Sequence, residues 1–138
     1  MISTRYKKNR HSIYRLQYHL VLVTKYRHKV INKEINQRLK RITYDIFEKS
    51  WNCEIIEIES EADHLHIAFE AQPQVQLSKL INNFKTVSSR LIRKEFKEHI
   101  EKYYWKPFFW SSSYCLLSVG GATIDIIKKY IENQVKPN

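Results

Sequence analysis

Apolar and polar residues alternate along three stretches of the chain, and this period of two is typical of β-strands. The stretches cover residues 13–26, 53–60 and 61–69. A short apolar run at 114–119 predicts a fourth strand. Because the second and third stretches follow each other directly, we expect them to pair as an antiparallel hairpin.

Three other segments repeat their apolar residues at the spacing of a helical turn. The first begins after Asn32, a good N-cap residue, and reaches about Lys49. The second carries an apolar stripe from Leu77 to Ile92, and the last covers residues 122–134. We therefore predict three helices, of which the second is long.

The predicted order is strand, helix, strand, strand, helix, strand, helix, and its first six elements match the split βαβ arrangement. This is an α+β fold, ferredoxin-like or RRM-like, in which two helices cover one face of an antiparallel sheet. The other face stays open, and a C-terminal helix that bears a tyrosine follows. A chain of 138 residues with 43% hydrophobic content and only 2 Gly fits a single globular domain over residues 1–138.

The charge balance is strongly basic, with a formal net charge of +10 and an isoelectric point near 9.6. Nucleic acid is the commonest partner of such a protein, and a membrane surface is the less favoured alternative. No apolar run reaches the roughly 18 residues that span a bilayer, and the N-terminus lacks the apolar core of a signal peptide. Cys53 and Cys115 have no neighbouring cysteine, so we interpret them as small buried residues of a cytoplasmic protein.

Basic residues are concentrated in an N-terminal arm over residues 1–11 and on the polar side of the second helix. The arm is either a phosphate-contacting tail or a solvated terminus, while for the helix we favour phosphate binding over simple solvation. The candidate nucleic-acid-binding residues are Arg5, Lys7, Lys8 and Arg10 in the arm and Lys85, Ser89, Arg90 and Arg93 in the helix. The aromatic segment 103–110 could stack on bases, but we favour the alternative that it closes an edge of the core.

Two histidines alternate with apolar residues in the third strand. Because strand side chains point to alternate faces, His64 and His66 share the face opposite Leu65 and Ile67, about 6 to 7 Å apart. That separation suits two ligands of one cation if a third group arrives from elsewhere, although a hydrogen-bonded surface pair is an alternative. His19, on the face opposite the leucines of the first strand, could join them.

The last helix carries a phenol and an amide one turn apart, at Tyr130 and Gln134. A tyrosine can act as a nucleophile and form a covalent intermediate, and an amide oxygen can ligate a cation. A tyrosine at the flank of an apolar stripe can also serve packing alone, so the residues leave both roles open.

Several stretches resemble the HUH superfamily of single-strand nucleases. Asp63–His66 resembles its His-hydrophobe-His signature, and Lys129–Gln134 is similar to the nucleophile helix of its TnpA-type single-tyrosine transposases. Further stretches similar to that family are 18–21 with 25–27, 85–90 and 113–121. These blocks occur in order and cover nearly the whole chain. One departure is Thr86, which stands where the family motif often has glycine.

The resemblance implies a transposase that cuts and rejoins single-stranded DNA at the ends of a bacterial insertion sequence and recognises a hairpin near each end. It implies that Tyr130 attacks the scissile phosphate to give a 5′-phosphotyrosine, and that His64, His66 and Gln134 bind Mg²⁺ or Mn²⁺. It also implies a homodimer in which the tyrosine helix of one subunit completes the histidine site of the other. Gly120–Gly121 is then a candidate hinge.

Two alternatives to a transposase stay open at the level of the sequence. A split βαβ sheet with this charge also fits an RNA-binding module that performs no chemistry. A domesticated relative that nicks repeated hairpins without moving an element would keep the same catalytic residues.

Overall fold

The structure is a computed structural model that describes residues 7–8, 13–14, 16–118 and 124–134. Its strands are β1 (Lys7–Lys8), β2 (Ile13–Tyr14), β3 (Gln17–Val23), β4 (Glu54–Glu61), β5 (His64–Glu70) and β6 (Cys115–Ser118). Its helices are α1 (Lys33–Tyr44), α2 (Leu77–Glu95), α3 (Lys97–Glu101) and α4 (Ile124–Glu132). A 3₁₀ turn covers Lys25–Arg27, and a π-helical segment, Asp45–Ser50, continues α1. None of the helices in these ranges is long and apolar enough to cross a membrane.

Four of the strands form one antiparallel sheet in the order β4-β5-β3-β6. This order places β3 and β5, which are distant in sequence, side by side at the centre. Within the described ranges, β1 and β2 form a separate ladder of two residues each. The predicted α+β fold is confirmed, including the hairpin of β4 and β5.

One face of the sheet is sealed by α1 and α2. The fully buried side chains on this face include Leu20, Leu22, Leu65, Ile67 and Phe69. Phe47, from the π-helical segment, packs edge-on against Phe69 with ring centroids 5.0 Å apart. Burial contributes roughly 1.5 to 3 kcal/mol for each side chain of this size, so this face supplies much of the hydrophobic stabilisation.

Helix α1 begins where the sequence predicts. The Asn32 side chain accepts a hydrogen bond from the Ile35 N–H at 2.8 Å, which satisfies a free donor of the first turn. Ile35, Leu39 and Ile42 are buried at helical spacing. The prediction of one continuous α-helix missed the π-helical geometry that begins after Tyr44.

The first predicted strand, 13–26, is too long at both ends, since Ile13–Tyr14 form β2 and β3 covers only Gln17–Val23. β3 stops at Val23, and the chain then turns through Tyr26 and Arg27, whose φ angles are 63° and 56°. Left-handed backbone costs a residue that is not glycine about 1 to 2 kcal/mol, so this turn needs support from its surroundings. We call residues 25–27 the left-handed turn.

Some predicted features fall on residues outside the described ranges. These are Arg5 and Arg10 of the basic arm, the last residue of the fourth predicted strand and the Gly120–Gly121 hinge. The same holds for the first two residues of the predicted last helix, 122–123.

Candidate active site on the histidine face

The second face of the sheet carries the predicted histidines, and we call it the histidine face. His66 is paired with Val21, and Val21 with Cys115, so these three side chains project from the same side. His64 is likewise paired with Val23. The side chains of His64 and His66 are 20% and 19% exposed, so both imidazoles are turned away from the apolar core.

Polar contacts hold the ring of His64. Its Nδ1 lies 2.9 Å from Oδ1 of Asp63, and the second carboxylate oxygen accepts a hydrogen bond from Nε of Arg27 at 3.3 Å. When Nδ1 donates to the carboxylate, Nε2 presents the lone pair. Burial alone would raise the pKa of Asp63, but hydrogen bonds and charges from His64 and Arg27 hold it below its ordinary value. The carboxylate therefore stays ionised and orients the imidazole.

His66 has different neighbours. Its Nε2 lies 2.9 Å from Nδ1 of His19, and its Nδ1 lies 4.0 Å from Oε1 of Glu59. Burial lowers the pKa of His66 and the adjacent His19 lowers it further, although Glu59 and Glu57 act in the opposite direction. A lowered pKa keeps the imidazole neutral, which is the form that ligates metals. His19 therefore lies on the histidine face, as the strand pattern allows.

The donor groups suit a divalent cation, but the sheet alone does not supply enough of them. Among the described residues, no three histidine, cysteine, aspartate or glutamate side chains are placed to hold one metal ion. Two imidazoles need a further ligand to hold a cation, and the amide oxygen of Gln134 is the predicted one. The contact between Nε2 of His66 and Nδ1 of His19 must also be broken before His66 can bind a cation through Nε2.

Tyr130 and Gln134 are both held by residues 111–113, which we call the serine segment. The Tyr130 hydroxyl lies 2.9 Å from Oγ of Ser113, and Oε1 of Gln134 accepts a hydrogen bond from Oγ of Ser111 at 3.2 Å. Burial raises the pKa of the Tyr130 phenol, and the hydrogen bond with Ser113 offsets this only in part. The phenol is therefore protonated at neutral pH.

The serine segment connects the tyrosine helix to the end of the sheet where His64 lies. The Ser111 N–H donates to the carbonyl of Val23 at 2.8 Å, and Val23 is the cross-strand partner of His64. Two strand spacings, or roughly 10 Å, therefore separate the backbone of His64 from that of Ser111. The structure brings the predicted nucleophile and the predicted metal ligands to one end of the sheet, where the phenol of Tyr130 is hydrogen-bonded to Ser113.

Lys85, a predicted DNA-binding residue, supports the serine segment in this structure. Its Nζ donates to the carbonyl of Ser111 at 2.8 Å and lies 3.4 Å from that of Ser113. The ammonium is half-buried, and burial lowers its pKa. Lys85 therefore has a structural contact that the sequence did not indicate.

The other predicted DNA-binding residues occupy two places. On α2, Arg90 is exposed, and Arg93 donates from Nε to Oγ of Ser89 at 3.2 Å. Lys7 and Lys8 form strand β1. The contact of all these residues with DNA stays a prediction.

The aromatic segment 103–110 mainly closes an edge of the core, which is the alternative favoured from the sequence. Tyr104, Phe109 and Trp110 are buried, at 3%, 1% and 7% exposure. Trp105 is the exception, because 89% of its surface is exposed. Its ring is exposed but has one cationic neighbour, since Nζ of Lys106 lies 5.0 Å from the ring centroid.

Sequence reasoning missed two groups beside the histidines. The first is Arg27, which the left-handed turn places beside the aspartate that holds His64; no local pattern signals this contact. The second is a row of glutamates on β4, in which Glu59 is paired with His66 and Glu61 with His64. The period-two repeat of glutamates over residues 57–61 was a usable signal for this row.

Comparison with known families and proteins gives a consistent result. The family model described as "Transposase IS200 like" matches residues 12–134. The chain is 37% identical to the ISDra2 transposase TnpA of Deinococcus radiodurans over 128 residues, which is 93% of this chain and 90% of the relative. It is 30% identical to the transposase for insertion sequence element IS200 of Salmonella typhimurium over 127 residues, covering 91% and 81% of the two chains.

Solved structures share the fold. A putative transposase from Deinococcus radiodurans superposes with a TM-score of 0.85 at 34% identity, over 95% of this chain and 99% of that one. A REP-associated tyrosine transposase, solved bound to a REP hairpin, gives a TM-score of 0.52 over 91% and 68% of the two chains. Since the second likeness has only 9% identity, it bears on the fold alone.

Proposed function

This chain belongs to the family of IS200-like transposases, and from that membership we propose that it cuts and rejoins single-stranded DNA at insertion-sequence ends. Tyr130 is the proposed nucleophile, and DNA hairpins near the ends are the proposed recognition elements. The observation that supports this most directly is the serine segment, which brings the tyrosine helix to the end of the sheet where His64 lies.

We propose that His64, His66 and Gln134 bind the divalent cation, Mg²⁺ or Mn²⁺. In support, Asp63 contacts Nδ1 of His64, which leaves Nε2 available to a cation, and the lowered pKa of His66 keeps its ring neutral. Such a cation, when bound, neutralises charge on a phosphate oxygen and orients the phosphate for in-line attack.

In the proposed reaction, the phenol oxygen of Tyr130 forms a bond to phosphorus while the bond from phosphorus to the 3′ oxygen breaks. The phenol loses its proton and the departing 3′ oxygen gains one, so the products are a 5′-phosphotyrosine and a free 3′-hydroxyl. Rejoining is the reverse attack by a 3′-hydroxyl, which restores the phenol. Tyr130 must leave Ser113 before it reaches the phosphate.

Replacing Tyr130 tests the proposal. Tyr130→Phe removes only the hydroxyl, so we expect no covalent protein–DNA adduct on a labelled single-stranded hairpin substrate, while hairpin binding by gel shift stays within about twofold. Tyr114→Phe, a tyrosine near the same segment, is the matched control and should still form the adduct. An adduct that survives in Tyr130→Phe would disprove the assignment, and loss in Tyr114→Phe alone would move the nucleophile there.

We also propose that the active sites are shared between two subunits, as the family resemblance implies; the tyrosine helix would then leave the serine segment of its own chain, where Tyr130 is held. A His64→Ala subunit mixed with a Tyr130→Phe subunit then rebuilds one complete site per heterodimer. We expect adduct formation near half the wild-type level in verified heterodimers and none in either homodimer. Zero activity in verified heterodimers would mean that each site is built within one chain.

A further inference from the structure

A cavity of about 400 Å³ lies on the helix side of the molecule, between the end of α2, α3 and the segment that follows α3. Its cationic lining consists of Arg90, Arg93, Lys94, Lys97 and Lys106, against which Glu101 is the acidic lining residue. This excess of positive charge favours an anionic ligand. The histidine face does not contribute to this cavity.

The rim of the cavity carries Trp105, which is 89% exposed. Tryptophan is highly buried on average, so its exposure here is unusual and the core does not require it. The chain on both sides is fixed, because the Tyr104 hydroxyl donates to the Lys25 carbonyl at 2.7 Å and the Lys25 N–H donates to the Phe109 carbonyl at 2.8 Å. Trp105 is therefore an aromatic surface held between anchored neighbours, and because Nζ of Lys106 lies 5.0 Å from its ring centroid, a base would stack on the opposite ring face.

A second cavity of about 270 Å³ continues the first, since Arg93 and Pro107 line both. It extends along α2 to Lys85 and to Ser111 of the serine segment, where Tyr130 is held. The helix rises about 12 Å from Lys85 to Arg93. One strand of B-DNA rises about 3.4 Å along the helix axis for each phosphate, and an unpaired strand is more extended, so that length accommodates at most about three nucleotides.

We propose that the two cavities form one groove for the single-stranded DNA next to the cleaved phosphate, and that an unpaired base of this strand stacks on Trp105. The inference rests on the proposed function and adds a path for the strand. Basic side chains of α2 and α3 would follow the phosphates, and the indole would bind a base without regard to its identity. DNA is favoured over RNA because the family acts in transposition.

The first test separates base contacts from phosphate contacts. Fluorescence anisotropy measures binding of labelled (dT)8 and of an eight-residue strand with the same backbone and no bases. Stacking on one aromatic ring corresponds to about 5-fold to 150-fold tighter binding, so we expect wild type to prefer (dT)8 within that range. Trp105→Ala should lose most of the preference, and Trp105→Tyr should restore part of it.

Tyr44→Ala is the matched control, because Tyr44 is an exposed aromatic residue on α1. Its preference for (dT)8 should equal that of wild type. Circular dichroism should show unchanged folding in Trp105→Ala, since the side chain is almost fully exposed.

The salt dependence tests the phosphate path. Replacing Lys97 by Gln should reduce the slope of log affinity against log salt by about 0.7, the value for one phosphate contact of a single strand. Lys40→Gln, an exposed lysine on α1, should leave the slope unchanged.

The adduct assay distinguishes a failure of this inference from a failure of the proposed function. Trp105→Ala should still form the Tyr130 adduct at saturating DNA. If wild type forms the adduct but Trp105→Ala retains the full preference for (dT)8, the groove is wrong and the proposed function stands. If wild type neither binds (dT)8 nor forms an adduct, both are wrong. If the Trp105-dependent preference over the strand without bases is found for (rU)8 but not for (dT)8, the assignment to DNA is overturned.

Discussion

The two faces of the sheet are built from the same strands but differ in nearly every physical property. On the face under α1 and α2, β3 and β5 present Leu20, Leu22 and Leu65, which are fully buried in the apolar core. On the histidine face, β5 presents the imidazoles of His64 and His66, which keep about a fifth of their side-chain surface exposed, while β3 also presents the fully buried Val21 and Val23. The alternation of side chains along β5 thus places a core residue beside a candidate site residue at adjacent positions.

The polar groups of the histidine face are tied to one another rather than to the core. Asp63 contacts both His64 and Arg27, and His66 contacts His19. Such contacts orient side chains, yet each contributes only about 1 kcal/mol to stability because the same groups bond water in the unfolded chain. The polar side chains of the histidine face are therefore held in fixed orientations, whereas the face under α1 and α2 is filled by buried apolar side chains.

The largest expected difference is between two neighbouring residues of β5. Leu65→Ala should lower the free energy of unfolding by about 2 to 5 kcal/mol, because it leaves a cavity in the core. His66→Ala should lower it less, by about 1 to 2 kcal/mol, because the lost imidazole is partly exposed and its main loss is the contact with His19. Urea unfolding measures both, and adduct formation should show the reverse order, with His66→Ala inactive and folded Leu65→Ala active. Equal losses of stability would contradict the separation of the two faces.

A smaller effect is expected when the support of one imidazole is removed. Asp63→Asn keeps the shape but not the charge that orients His64, so we expect Mn²⁺ affinity to fall about 10-fold to 100-fold by isothermal titration calorimetry. Glu98→Gln, on exposed α3, removes the same charge elsewhere and should change the affinity less than twofold. A similar fall in both variants would mean that overall charge, and not orientation, governs the binding.

The smallest expected difference is in how readily the two cysteine thiols react. Cys53 is 2% exposed in the core, and burial raises its pKa to about 11, whereas Cys115 is half-buried on the histidine face. Iodoacetamide at pH 8 should therefore modify Cys115 in the folded protein and Cys53 only after unfolding. Mass spectrometry of the labelled peptides checks this. Faster labelling of Cys53 would contradict its burial.

The raised pKa of Cys53 predicts that the stability of the fold decreases at high pH. Because the folded pKa of Cys53 lies above its ordinary value of 9.0, its contribution to stability is complete below pH 9 and is lost as the pH rises through 11. By pH 10 the loss should be about 1 kcal/mol, measured as a steeper fall of the urea midpoint in wild type than in Cys53→Ala.

Much of the fold could be predicted because its signals are local. The alternation in β5 reports burial on one side, and Asn32 marks the start of α1 through a contact with Ile35, three residues on. The side of the sheet that holds His64 and His66 follows from the same alternation. The spacing of Tyr130 and Gln134 made Tyr130 a candidate nucleophile but left a packing role open, and the family resemblance favoured the nucleophile.

Contacts between distant segments could be predicted only in part: the strand pattern allowed His19 to join the histidine face but did not give its hydrogen-bond partner. The hydrogen bond of His19 to His66 joins residues 47 positions apart, and that of Tyr130 to Ser113 depends on how the last helix meets the serine segment. The exposure of Trp105 among buried aromatic neighbours also has no sequence signal, since composition does not say which ring of a run faces water. Lys85 illustrates the same limit, because a cation on a polar helix side can bond carbonyls as well as phosphates.

The left-handed turn affects whether the histidine pair could be transferred to another protein. Tyr26 and Arg27 adopt backbone angles that glycine would reach at less cost, yet both side chains are engaged, Tyr26 edge-on against Phe108 at 5.9 Å and Arg27 on Asp63. A protein engineer who grafts the histidine pair onto another sheet would therefore have to transplant this corner as well. Without this turn, Arg27 would not hold Asp63, and the transferred His64 would lack a fixed carboxylate partner.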